Sequence, residues 1–131
     1  MAEPDYRIRT EVDFAALGRL REAAWGGQDD GSGWPNILAR SLTWVTAYED
    51  ERLIGFVNVA WDGGAHAFLL DTTVHPDVQR RGIGSALVWE AVQAARAGGA
   101  HWLHVDFESH LQGFYAACGF RPTAAGLLRL V

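Results

Sequence analysis

Apolar positions along the chain recur with two periods. Phe14, Leu17, Leu20 and Ala24 share one helical stripe behind Asp13, a natural helix cap, and predict a helix from about Phe14 to Trp25. Gly26 to Gly33 reads as a flexible loop, and Pro35 opens a short helix to about Ser41. Then the period shortens. Thr43–Glu49, Arg52–Trp61 and Ala65–Val74 read as strands, separated by Asp50-Glu51 and by Asp62-Gly63-Gly64, a strong hairpin turn. Gly84–Ala97 returns to helical spacing and leads to a strand, His101–Phe107. That β-α-β crossover implies one parallel pair. Ser109–Cys118 reads as the last helix, stopped by Gly119. Tyr6–Arg9 supplies a first strand and Leu127–Val131 an edge strand. The expected fold is α/β in a single domain, 1–131. Its sheet is mixed, mostly antiparallel and of about six to seven strands, with helices on both faces.

Composition narrows the chemistry. All eleven basic residues are Arg, so a Walker-type phosphate loop, a lysine Schiff base and a lysine general base are excluded. The net charge of −5 argues against nucleic acid and favours a cationic substrate. No apolar run approaches the ~20 residues of a membrane span. The polar stretch from Ala2 to Glu11 shows no signal peptide. Cys118 is the only cysteine, so a reducing cytoplasm is the expected setting. Edge strands and exposed Trp make a homodimer an expectation as well.

The strand ending at Val74 passes through His75-Pro76-Asp77 to Gln79-Arg80-Arg81-Gly82-Ile83-Gly84, where the long helix begins. Two glycines let a ligand approach the backbone closely. The first N–H groups of a helix lack internal partners, and the helix dipole adds positive charge there. Phosphate suits such a site, and Arg80 and Arg81 add fixed charge.

This pattern resembles the acetyl-CoA motif of the GNAT N-acetyltransferase superfamily. Val74-His75-Pro76 looks like that family's strand exit, and Phe114-Tyr115-Ala116-Ala117-Cys118-Gly119-Phe120 like its last helix, Tyr-x-x-x-Gly-Phe. The resemblance covers residues 65–121. It implies a GNAT-like domain in which acetyl-CoA gives its acetyl group to a small-molecule or peptide amine. The CoA pyrophosphate would lie on Gln79, Arg80, Arg81, Gly82, Ile83, Gly84 and Ser85. The pantetheine arm would follow the backbone of Thr72, Thr73 and Val74, with Tyr115 beside it. Where the family often carries Asn, this chain has Glu108 followed by Ser109; either Ser109 takes that polar contact or the contact is absent.

The remaining chemistry follows from residue types. Tyr115 is a candidate general acid for the departing thiolate, against a purely packing role. Asp71 is the only acid in an otherwise apolar strand and is a candidate base, against a structural carboxylate bonded to loop backbone or Arg80. Glu108 is its lesser rival. Trp25 and Trp34 flank Asp29 and Asp30, and aromatic faces with carboxylates suit a cationic amine. No metal is expected: His101 and His104 point to opposite faces of a strand, and zinc wants three or four clustered ligands. Cys118 reads as a small buried hydrophobe. Two rivals stay open. One is a non-catalytic acyl-CoA sensor on the same fold. The other is a dinucleotide oxidoreductase, for which Asp106 is placed but Leu87 replaces the third glycine.

Overall fold

The computed structural model describes residues 3–131; residues 1 and 2, the start of the polar N-terminal stretch, lie outside the described residues. The elements run in the order β1 (Asp5–Ile8), α1 (Phe14–Trp25), α2 (Trp34–Leu38), β2 (Ser41–Glu49), β3 (Arg52–Trp61), β4 (His66–Val74), α3 (Ile83–Ala97), β5 (Trp102–His104) and α4 (Gln112–Ala117). Short 3-10 turns at Pro76–Val78 and Ser109–Leu111 precede α3 and α4. The sheet has five strands in the order β1-β2-β3-β4-β5. The first four are antiparallel neighbours, and β5 joins β4 in parallel.

Two cores sandwich this sheet. On one face α1 and α2 bury Leu17, Leu20, Trp34 and Leu38 against Leu53 and Phe56. The Trp34 and Phe56 rings meet edge to face at 5.2 Å. On the other face α3 lays Ile83, Leu87, Val88, Ala91 and Ala95 on Val45, Ile54, Val57, Val59 and Leu69. The predicted cap holds, since Asp13 accepts the Ala16 N–H at 3.1 Å. No helix of the described residues is long and apolar enough to cross a membrane.

Four expectations need correction. The strand count is five rather than six to seven. Leu127–Val131 forms no edge strand: Leu127, Leu128 and Leu130 stand 85–87% exposed and Val131 is fully exposed. Nothing within the described chain reaches them. The strand predicted over His101–Phe107 keeps only Trp102–His104, paired with His66, Ala67 and Phe68. Likewise Ser109–Cys118 divides into a 3-10 turn and the short α4.

The loop from Gly26 to Gly33 is pinned rather than flexible. Asp29 accepts the Gly31 N–H at 2.9 Å and the Trp34 indole N–H at 3.0 Å, while its own N–H donates to Glu22 at 2.7 Å. The loop then presses on α1 where Gly18 has no side chain. A Cβ at Gly18 would lie 2.3 Å from the Asp29 carbonyl oxygen. Alanine inside a helix ordinarily stabilises by about 0.5–1 kcal/mol over glycine. Here Gly18→Ala is expected to destabilise by about 1–3 kcal/mol through overpacking. Urea denaturation checks this; an unchanged or raised midpoint would refute the close approach.

Candidate active site

The site is organised by a break in β4. Phe56 pairs with Thr73 and Asn58 with Leu70, so Asp71 and Thr72 together stand opposite Val57. That is a β-bulge, with one extra residue in the bulged strand. Asp71 takes φ +61°, a left-handed conformation that disfavours side chains and clusters at functional positions. The Thr73 hydroxyl holds the bulge by donating to the Asp71 carbonyl at 2.8 Å.

β5 leaves β4 just before this point. Their pairing ends at Phe68 and His104, so the edge of β4 from Leu69 to Val74 has no strand beside it among the described residues. A strand edge without a partner offers unpaired backbone N–H and C=O groups. The cleft is closed on the far side by α4. There Tyr115, 6% exposed, lies between Phe107, Phe114 and Phe120 at ring distances of 4.8, 4.9 and 5.8 Å. Its hydroxyl reaches 3.5 Å from the Thr72 hydroxyl.

On the other side of β4, Asp71 and Thr73 face α1. The Trp25 indole donates to Thr73 at 3.2 Å, and Arg21 meets Asp71 at 3.3 Å. The partner of Asp71 is thus Arg21, and not Arg80. Burial raises the Asp71 carboxyl above its ordinary 3.8, while Arg21 and a hydrogen bond from Asn58 pull it back in part. The buried Asn58 carboxamide oxygen accepts from Ser41 at 2.6 Å, which leaves its N–H groups for Asp71.

At the end of β4, the loop over 79–82 turns into α3. Arg80 and Gly82 both take left-handed backbone, φ +65° and +80°. The first helical bond runs from Ala86 N–H to the Gly82 carbonyl, and no side chain caps the helix. The N–H groups of Ile83, Gly84 and Ser85 therefore have no partner within the helix. Gln79 donates back to the Val74 carbonyl at 3.3 Å and ties the loop to the strand. The two arginines differ. Arg81 is bound to Glu49 of β2 at 2.6 Å, and this contact holds the Glu49 carboxyl below its usual range. Its guanidinium is committed to the sheet, contrary to the expectation of two free cations. Arg80 has no ion-pair partner among the described residues.

The expected acceptor pocket is rearranged. Trp34 is buried core, and the carboxylate of Asp29 is spent on Gly31 and Trp34. Asp30 lies exposed and accepts the Ser32 N–H at 2.9 Å. Trp25 remains open, 59% exposed. Its ring and that of Trp34 do flank a cation, but the cation is Arg21, at 5.8 and 5.7 Å. Arg21 was not singled out from the sequence; its position one turn before Trp25, on the stripe next to the core, was the available signal. Glu108 and Ser109 sit exposed at the start of the turn into α4. His104 instead pairs with His66 across β4 and β5, Nε2 to Nδ1 at 2.8 Å. No cluster of three or more His, Cys, Asp or Glu able to hold a metal occurs among the described residues.

A helix mouth with unpaired N–H groups, set beside an unpaired strand edge, invites comparison with known proteins. Residues 11–120 match the acetyltransferase (GNAT) family. The chain belongs to that family. A GNAT family protein from Streptococcus pneumoniae superposes with a TM-score of 0.83 at 24% identity, over 98% of each chain. The aminoglycoside N-acetyltransferase AAC(6')-Iy, solved with CoA, has the same fold, with a TM-score of 0.80 at 22% identity, covering 97% of this chain and 93% of that one. A mycothiol acetyltransferase from Mycolicibacterium vanbaalenii is 36% identical over 64 residues, 49% of this GNAT chain. That match spans only 21% of the relative's length.

The loop geometry separates its two glycines. Gly82 needs its left-handed backbone, whereas a Cβ at Gly84 would meet the Phe114 ring at an ordinary 3.5 Å. Gly82→Ala is expected to cost about 1–2 kcal/mol of stability, and Gly84→Ala nothing measurable. Thermal unfolding of both variants checks the order; equal losses would contradict it.

Proposed function

We propose that this chain is an acetyl-CoA-dependent N-acetyltransferase that moves an acetyl group to a primary amine by direct attack in a ternary complex. One observation carries the reading. The N–H groups at the start of α3, without partners within the helix, follow by one short loop the stretch of β4 that has no second strand beside it among the described residues, and on that stretch Thr72 meets the Tyr115 hydroxyl at 3.5 Å.

The residues fit the donor's chemistry. The backbone of Arg81, Gly82, Ile83, Gly84 and Ser85 would hold the pyrophosphate, with Gln79 and the free guanidinium of Arg80 at its flank. The backbone of Thr72, Thr73 and Val74 would take the pantetheine amides as a further strand. Ser109 offers a hydroxyl at the mouth of α4. Acetyl-CoA supplies an activated acyl thioester, so the protein need not form a covalent intermediate. Its tasks are to orient the donor, to free the amine of a proton and to protonate the leaving thiolate. Tyr115 is the candidate acid for the thiolate and Asp71 the candidate base for the amine. Asp71 turns to Arg21 of α1 while Tyr115 of α4 meets the neighbouring Thr72, which supports a donor and an acceptor meeting at the open edge from different sides. A small-molecule or peptide amine is the proposed acceptor, with Trp25, Asp30 and Glu108 on its approach.

Calorimetric titration with acetyl-CoA is expected to show binding well below about 1 mM. No heat at that concentration would remove the proposal. Tyr115→Phe is expected to keep that affinity while lowering kcat by about 10²-fold or more. Asp71 acts as a base only when ionised. Its raised pKa therefore sets an acid limb of kcat/KM above pH 3.8, with activity rising as pH increases through it. Asp71→Asn should abolish that limb along with most activity. An unshifted limb in the variant would assign the base elsewhere.

We further propose that the chain works as a homodimer in the cytoplasm. The exposed Leu127, Leu128, Leu130 and Val131 support this, as does the short, unpaired outer edge of β5 beside exposed Trp102. Apolar side chains at such exposure favour burial against a second copy. Light scattering should give twice the chain mass, and Leu128→Asp with Leu130→Asp should give the monomer. A monomeric parent protein at micromolar concentration would defeat this part.

A further inference from the structure

The acceptor side of the cleft carries a charge pattern that the general reading leaves unused. Arg21 is about half-buried on α1, with a Trp ring to either side and Asp71 at one corner. A guanidinium has several N–H donors in one plane. Only Nη1–H is engaged within the described residues, by Asp71 at a long 3.3 Å. The Arg21 side chain is part-exposed, so the N–H groups that Asp71 does not take face outward and are open to a further acceptor. The Trp faces stabilise the charge but accept no in-plane hydrogen bond. A planar oxyanion is the acceptor that suits such an edge.

The position of this edge matters as much as its charge. Asp71 is the bulge residue at the open stretch of β4, and Thr73, two residues on, anchors Trp25. Arg21 and Asp71 therefore stand side by side where the acceptor amine must arrive, cation next to anion. A single kind of small molecule repeats that spacing with the signs reversed: an amine with a carboxylate on the adjacent carbon. Its carboxylate would lie on Arg21 and its ammonium on Asp71.

We infer that the acceptor is a free α-amino acid, recognised through its carboxylate by Arg21. This rests on the acetyltransferase reading above. The step balances: Asp71, directly or through water, takes a proton from the ammonium. The amine nitrogen bonds to the acetyl carbon as the carbon–sulfur bond breaks, the thiolate takes a proton from Tyr115, and the surplus proton on the new amide nitrogen passes through water to restore the Tyr115 hydroxyl. Arg21 is a specificity residue in this scheme. A carboxylate-free amine loses the Arg21 contact but keeps the Asp71 contact, so discrimination appears in KM before kcat.

The test measures thiol release from acetyl-CoA with the common L-amino acids. Each is compared with its carboxamide and its decarboxylated amine, such as phenylalanine, phenylalaninamide and phenethylamine. For the preferred side chain, the amino acid is expected to exceed both analogues in kcat/KM by about ten- to hundredfold. Arg21→Gln should lower kcat/KM for the amino acid by about ten- to hundredfold more than for the decarboxylated amine, which removes the preference, and Arg21→Lys should restore part of it. Acetyl-CoA titration of each variant separates the two levels. Donor binding and amine turnover without a carboxylate preference overturn this inference alone. Equal loss with all acceptors in Arg21→Gln, with normal donor binding, makes Arg21 structural and also overturns it. Failure of acetyl-CoA to bind the parent protein overturns the acetyltransferase reading and this inference together.

Discussion

On one side, from Leu69 to Val74, the backbone of β4 has no strand to complete its hydrogen bonds among the described residues. Every other feature of the candidate site is arranged around that debt. The β3 side is satisfied except at the bulge. On the other side β5 serves only Phe68 and the two residues before it. A partner of extended, amide-bearing chemistry would complete the ladder. The helix mouth of α3, a short loop further on, has the matching deficit in its N–H groups. These deficits are backbone properties, so they survive wide variation in side chains. The fold itself is matched at 22–24% identity.

Much of this was legible in the chain itself. The bounds of α1 follow from Asp13 and the Phe14–Leu17–Leu20 stripe, and β3 ends where Asp62-Gly63-Gly64 turns. Those signals are local, and local physics decides them. The uncapped helix mouth was equally visible, since Gly82 and Gly84 lie within a few residues of it. What stayed hidden depends on contacts between distant segments. Arg21 and Asp71 are separated by 50 positions, and Arg81 and Glu49 by 32. Asp29 had the right chemistry for a ligand contact, but the fold uses it to tie down its own loop. Leu127–Val131 has strand propensity without a strand to pair with.

The two sides of the site also differ in how they carry charge. The donor side relies on backbone dipoles and one unpaired arginine, a diffuse positive field suited to phosphates. The acceptor side concentrates a cation and an anion 3.3 Å apart between indole rings. There partial burial raises the Asp71 carboxyl above its ordinary 3.8, and Arg21 beside it pulls it back in part.

The loop between α1 and α2 has a consequence for binding. Loops over acceptor sites are commonly mobile and must be ordered at each encounter. Here Gly18 admits the Asp29 carbonyl into the surface of α1, Gly31 sits against Phe14, and Trp34 is locked into the core. The wall that carries Trp25 and Trp34 is therefore assembled when the chain folds. A ligand at that wall would meet a surface already assembled and would lose little affinity to ordering it.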